Sequence, residues 1–155
     1  MAVFSAAHAL GMAVKIEENG AAFYRAARDK SGDPEIQELF ADLEAREEAH
    51  RGVFEEMAKG VKPVPEPSRS DVGDYASFLE VALDHAVFSG PDKAVRMAEE
   101  AGDRAAVLRA AMGFEKDTML FYYDLREMVD EKDREVITDI IREEKQHLHR
   151  LADMA

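Results

Sequence analysis

The sequence predicts an all-α four-helix bundle made of two antiparallel helical hairpins joined by a long crossover with short connector helices. Three observations predict it. Four long segments repeat apolar residues at alternating spacings of three and four, the pattern of an amphipathic helix. Short polar breaks near residues 32 and 131 each divide two of these segments closely enough to leave them antiparallel neighbours. Between the two pairs stands a stretch with Pro63, Pro65 and Pro67, where no helix continues.

The first helix runs from about Ser5 to Lys30 and stops at Ser31-Gly32. The apolar start, Met1 to Val14, lacks the basic flank of a signal peptide and passes unbroken into the polar pattern at Lys15. It therefore reads as part of this helix, and the protein as cytoplasmic. Asp33 caps the second helix with Pro34 in its first turn, and the run from Glu35 to Lys59 closes at Gly60. Val61 to Gly73 reads as the extended crossover. Asp74 to Phe88 returns to a helical pattern, Ser89-Gly90-Pro91 interrupts it, and a short piece continues to Ala101; both pieces read as connectors without chemistry. Asp103 opens the third long helix, to about Val129. After a turn over Asp130 to Asp133 the fourth runs to Leu151 or beyond.

At 155 residues the chain reads as one domain, 1–155, long enough to bury a core without disulfides or a structural metal. With 34% charged and 46% hydrophobic residues it has the mixture of a folded soluble protein, and no stretch is long enough to span a bilayer. The net charge of -13 repels nucleic acid and anionic lipid and favours cations as partners. The absence of cysteine excludes disulfides, thiolate zinc sites, iron–sulfur clusters and a rubredoxin-type iron centre.

The apolar seams carry polar exceptions. On the second helix the seam is Ile36, Leu39 or Phe40, Leu43, Glu47, His50, Phe54 and Met57; on the fourth it is Ile137, Ile140, Glu144, His147, Leu151 and Met154. Each places E-x-x-H in the middle of an apolar stripe. The first helix has Leu10, Ala13, Glu17, Gly20, Tyr24 and Ala27, and the third has Leu108, Ala111, Glu115, Thr118, Tyr122 and Leu125. Each of these carries one glutamate, followed seven residues on by a tyrosine. The halves thus form an internal repeat, Glu17 lying 30 residues before Glu47 and Glu115 lying 29 before Glu144. Both turns fall near the midpoint of these intervals, so antiparallel folding brings all four glutamates to one level of the core.

Four ionised carboxylates in an apolar interior repel each other and forfeit several kcal/mol of hydration apiece, on the order of the loss for any buried unpaired ion. Two divalent cations supply the matching charge. Carboxylate oxygen with imidazole suits iron, manganese or cobalt, and accepts zinc. Residues three apart share a helix face, so the glutamate and histidine of E-x-x-H can approach one metal together.

The segments E-E-N-G-A-A-F-Y at 17–24, E-E-A-H at 47–50, F-E-K-D-T-M-L-F-Y at 114–122 and E-K-Q-H at 144–147 resemble the rubrerythrin branch of the ferritin-like di-iron proteins. The resemblance covers the four long helices and not the crossover. It implies two iron ions, with Glu17 and Glu115 as terminal ligands, Glu47 and Glu144 bridging, and His50 and His147 each binding one metal. It also implies that Tyr24 and Tyr122 hydrogen-bond the ligand carboxylates. Two features depart from that family. There is no cysteine for a rubredoxin domain, and Thr118 stands one turn after Glu115, where rubrerythrins carry an extra glutamate that takes part in a redox-linked ligand shift.

The neighbouring acids and remaining histidines read as structural or solvated. Glu18 and Glu48 are turned about 100° from the ligands on a helix, a one-residue slip making Glu18 the ligand being the alternative on the first helix. Tyr24 and Tyr122 read equally well as core aromatics. Glu143 reads as a surface charge rather than a partner of a histidine ring, and His8, His85 and His149 lie off the seams. The function expected is that of a di-iron oxidoreductase reacting with H2O2 or O2, or oxidising Fe(II), with electrons from a separate donor such as a rubredoxin-like protein, in a homodimer. The other readings are a ferritin-like iron-storage assembly and a structural metal-binding bundle without turnover.

Overall fold

A computed structural model of the protein describes residues 5–62 and 90–155. Its elements are α1 (Ala6–Lys30), α2 (Pro34–Lys59), α3 (Pro91–Glu100), α4 (Arg104–Met128) and α5 (Glu131–Met154). The architecture is the helical bundle expected, and α3 is the second connector. The first connector, Asp74 to Phe88, and all but the first two residues of the crossover lie outside the described residues.

Each long helix begins where a polar side chain takes up backbone N–H groups that the first turn leaves unpaired. Asp33 accepts from the Glu35 N–H at 3.0 Å and Asp103 from the Ala106 N–H at 2.8 Å. At Ser5 the cap is unusual, the His8 ring nitrogen Nδ1 lying 3.2 Å from the Ser5 backbone N–H and 3.0 Å from its hydroxyl. The turn expected over Asp130 to Asp133 is shorter than predicted, because Asp130 accepts from the Asp133 N–H at 3.2 Å and so starts α5 at Glu131. Glu131 and Asp133 then lie in the first turn, where the helix dipole favours negative charge.

Two apolar clusters show how the helices run. One joins the N-terminal half of α1 (Leu10, Ala13), the C-terminal half of α2 (Phe54, Met57), the C-terminal half of α4 (Leu125) and the N-terminal half of α5 (Ile137, Ile141). The other joins the opposite halves, through Ala27, Phe40, Leu43, Leu108 and Leu151, and takes in Ala94 and Ala98 of α3. Hence α1 and α5 run parallel, as do α2 and α4, and every hairpin is antiparallel. Because α2 ends at one end of the bundle and α4 starts at the other, the connection between them has to travel the bundle's length.

The predicted seams are buried, with Met154 half-buried at the end of α5. The faces of α1 and α4 are wider than one seam: Ile16 and Phe23 on α1, and Phe114 and Phe121 on α4, are also buried. Phe23 and Phe114 stack with centroids 6.1 Å apart and planes 17° from parallel, which fills the space where α1 lies against α4. Polar side chains tie the bundle's exterior. Arg25 and Arg28 both hold Glu44, at 2.6 and 2.5 Å, joining α1 to α2. Arg104 binds Asp33, Glu35 and the Met154 carbonyl, joining three helix ends, and Lys30 donates to the carbonyls of Glu99 and Ala101. Exposed pairs of this kind contribute little each, about 0–1 kcal/mol.

Core and caps therefore differ in weight. Phe40 is fully buried against Phe23 and Tyr24, so Phe40→Ala is expected to lower stability by about 3–5 kcal/mol, against about 1 kcal/mol for loss of the cap in Asp103→Ala. Urea unfolding of the metal-free protein followed by helical circular dichroism measures both, and a cap effect as large as the core effect would contradict this ordering.

Candidate metal centre

Between the two apolar clusters lies a layer of fully or nearly fully buried polar side chains: Glu17, Glu47, His50, Glu115, Thr118, Glu144 and His147. Their positions follow from the helix register. Glu17 and Glu115 sit near the middles of α1 and α4, and the two E-x-x-H pairs sit midway along α2 and α5. Glu18 is exposed and Glu48 pairs with Arg51 at 2.9 Å on the surface, so the register of α1 turns Glu17 inward. His149 is exposed, His8 caps α1, and His85 lies outside the described residues.

The layer forms two overlapping donor groups. Glu17, Glu47, His50 and Glu144 offer donor atoms within 4.8 Å of one another, and so do Glu47, Glu115, Glu144 and His147. Glu47 and Glu144 are common to both. Glu144 spans the pair, with Oε1 at 3.0 Å from Nδ1 of His50 and Oε2 at 2.9 Å from Nδ1 of His147. The imidazoles lie 5.9 Å apart and nearly parallel. Both turn Nδ1 to the carboxylates, Glu17 standing 3.7 Å from His50 and Glu47 and Glu115 each 3.7 Å from His147.

The tyrosines cross over. Tyr24 on α1 donates to Oε1 of Glu115 on α4 at 2.5 Å, and Tyr122 on α4 donates to Oε1 of Glu17 on α1. Seven residues along a helix is about 10 Å, too far for a tyrosine to reach the glutamate of its own helix. Antiparallel packing brings it instead to the carboxylate of the other. One residue read from the sequence as a surface charge takes part as well. Glu143 accepts from Nε2 of His50 at 3.0 Å, on the side facing away from the cluster. The signal was present in its position. Glu143 precedes Glu144, so it lies on the flank of the α5 seam, where a level match between the two E-x-x-H pairs places it beside α2.

Electrostatics show a cluster that holds protons in place of cations. Burial, reinforced by Glu144, pushes Glu17 well above the usual carboxylate range; burial with Glu144, Glu17 and Glu115 does the same for Glu47. Burial and the Glu144 charge raise Glu115 to about 8. Burial also opposes ionisation of Glu144, but hydrogen bonds from His147 and His50 outweigh it and hold this carboxyl below its ordinary value. For the histidines burial acts downward and is overcome: Glu144 and the other carboxylates carry His50 up to about 9, and Glu115 with Glu144 carry His147 up to about 10.

Even so, the layer is not satisfied. Glu17 Oε2, both oxygens of Glu47, Glu115 Oε2 and Thr118 Oγ1 are buried without a hydrogen-bond partner. Each such atom costs about 1–3 kcal/mol, more where it carries charge, and they converge on the two donor groups. The donors are carboxylate oxygens and imidazole nitrogens without thiolate, the set that suits a pair of first-row divalent cations. The residues present fit a binuclear metal site.

The Rubrerythrin family model matches residues 8–155. The chain belongs to the rubrerythrin family. Among solved structures, a protein from Thermotoga maritima described as a ferritin-like diiron-carboxylate protein shares the fold, with a TM-score of 0.70 and 25% identity over 97% of this chain and 93% of that one. Among curated proteins none matches. Thr118 is buried on the α4 face between Glu115 and Tyr122, its hydroxyl among the unpartnered atoms. Among the described residues no helix is long and apolar enough to cross a membrane.

Two predictions follow from this geometry. Gly20 faces the cluster, and a Cβ there would stand 2.7 Å from Glu47 Oε2 and 3.0 Å from the Phe114 ring. The ring is held by its stack on Phe23, so in Gly20→Ala the Glu47 carboxylate has to move; metal affinity by competitive titration is expected to fall on the order of tenfold or more with helical content retained. Second, His50, His147 and Glu115 carry protons at neutral pH in the metal-free protein. A cation has to displace them, so loading releases protons and affinity rises between about pH 6 and pH 8. Calorimetric titration in buffers of different ionisation enthalpy reads the release directly, and a pH-independent affinity would contradict it.

Proposed function

We propose that this protein is a di-iron oxidoreductase that reacts with peroxide or dioxygen, or oxidises ferrous iron. One observation carries the reading: two donor groups share Glu47 and Glu144, and the buried oxygens around them lack hydrogen-bond partners. Family membership and the diiron-carboxylate description of the Thermotoga protein support it.

In this reading Glu17 and His50 hold one metal, Glu115 and His147 hold the other, and Glu47 and Glu144 serve both. The four carboxylates match two divalent cations in charge, which offsets the burial and the mutual repulsion that lead Glu17, Glu47 and Glu115 to keep their protons. Iron supplies one-electron redox chemistry towards O2 or H2O2 when bound. The chain's residues do the rest. Tyr122 fixes one oxygen of Glu17 and Tyr24 one oxygen of Glu115, leaving the other oxygen of each buried without a hydrogen-bond partner. Their hydroxyls hold their protons, because burial and the adjacent carboxylates raise both above the ordinary tyrosine value. Phe54, Phe114 and the apolar clusters keep water from the layer. Thr118 offers a hydroxyl where a carboxylate would supply a seventh protein ligand, so the set is limited to six side chains. Electrons come from a separate donor protein, since this chain has no cysteine to hold a second iron centre.

The test is metal content per chain after anaerobic loading with Fe(II), for the wild type and Glu47→Ala, followed by exposure to H2O2. About two irons per wild-type chain, lost in the mutant and oxidised rapidly by peroxide, is the expected result. One metal or none, indifferent to the mutation, overturns the reading; two metals that raise the melting temperature but do not oxidise leave a structural site.

A further inference from the structure

The two donor groups are matched in their inner atoms and unmatched behind the histidines. Nε2 of His50 meets the Glu143 carboxylate at 3.0 Å. Position 46 stands to Glu47 as 143 stands to Glu144, and there the chain has Arg46, an exposed cation 4.0 Å from Asp42. Asp42 feels the His147 charge but is engaged by Arg150 at 2.5 Å. Behind the histidines the two halves therefore differ: His50 has a carboxylate on its outer nitrogen, whereas Asp42, the outer acid that feels His147, is held by Arg150 and Arg46.

From this we infer that the two metal positions differ in affinity, with Glu143 as the positioning residue that makes the Glu17–His50 position the tighter one. The inference rests on the two-metal reading above. A carboxylate on the outer nitrogen fixes the tautomer in which Nε2 carries the proton and Nδ1 presents its lone pair to the cluster; it also orients the ring and raises the donor strength of Nδ1. Glu143 does this from the rim, with its side chain 42% exposed, so its removal spares the core. His147 has an imidazole equally well aimed at the cluster by Glu144, but the outer acid on its side, Asp42, is already engaged by Arg150 and Arg46. The first cation to enter takes the His50 side, and the shared Glu47 and Glu144 are then already drawn towards it when the second arrives.

The experiment titrates the metal-free full chain with Co(II), following the ligand-field absorption, for the wild type, Glu143→Gln and Arg46→Glu. The wild type is expected to bind two cobalt ions per chain in two resolved steps. Glu143→Gln weakens the first step on the order of 10–100-fold and leaves the second in place; Arg46→Glu, which supplies the missing carboxylate behind His147, strengthens the second and narrows the gap. Proton NMR of the cobalt-loaded protein adds a readout that a general loss of packing would not produce, since the shifted N–H of the His50 ring exchanges slowly with water in the wild type and rapidly in Glu143→Gln. Two ions bound in indistinguishable steps, or a gap unchanged in both variants, overturns this inference and leaves the two-metal reading standing. Fewer than two ions bound by the wild type overturns both.

Discussion

Everything in this bundle is arranged around four carboxylates that have been taken out of water together. Glu17, Glu47, Glu115 and Glu144 have no exposed surface, and without a counter-charge they cannot all be ionised. In the metal-free protein the compromise is protonic: His50 and His147 stay charged on either side of Glu144, while Glu17, Glu47 and Glu115 keep protons they would lose in water. That arrangement leaves five polar atoms of the layer unpartnered, so the fold holds the layer at a standing cost. The apolar clusters above and below it, each drawn from all four long helices, meet that cost.

The layer also dictates the topology. To bring one glutamate from each helix to the same level, each hairpin must turn midway between its two glutamates; the second hairpin starts at the end opposite to the one where the first finishes. The crossing tyrosines then lock the hairpins together. Tyr24 and Tyr122 link α1 to α4 through the buried carboxylates of Glu115 and Glu17 themselves, so packing between hairpins and orientation of these carboxylates are one set of contacts. Gly20 belongs to the same economy of space, since only a bare Cα lets Glu47 and the Phe23–Phe114 stack come so close to α1.

Much of this was legible in the sequence because burial of charge is conspicuous against a periodic apolar background. Glu47, His50, Glu144 and His147 stand in seams that are otherwise Ile, Leu, Phe and Met, and the near-equal Glu-to-Glu intervals place them on one level. The same periodicity set the caps at Asp33 and Asp103. What it did not convey was width and direction. Phe23, Phe114 and Phe121 fall off a single seam, and only the approach of α1 to α4 explains why they are buried. Asp130 and Asp133 both look like turn residues, and a hydrogen bond between one side chain and the other's N–H decides that the helix has already begun. Glu143 is the most instructive miss: charge, exposure and neighbours on its own helix all describe a surface acid, and its role depends on a ring on another helix.

Duplication explains why such a residue matters. A repeated half-site starts with two equal metal positions, and equality is a property of the inner donors, which are the most constrained by the layer. The rim is free to diverge, because Glu143 and Arg46 can change without disturbing the core. A difference in affinity between two adjacent cations can thus be set by outer residues alone, through the imidazole each one faces. Thr118 is the corresponding feature on the inside. It keeps a hydroxyl in the layer on the α4 face, where valine would fill the space without leaving an unpaired polar atom. A hydroxyl kept there at that cost, between Glu115 and Tyr122, has its use in the site and not in the packing.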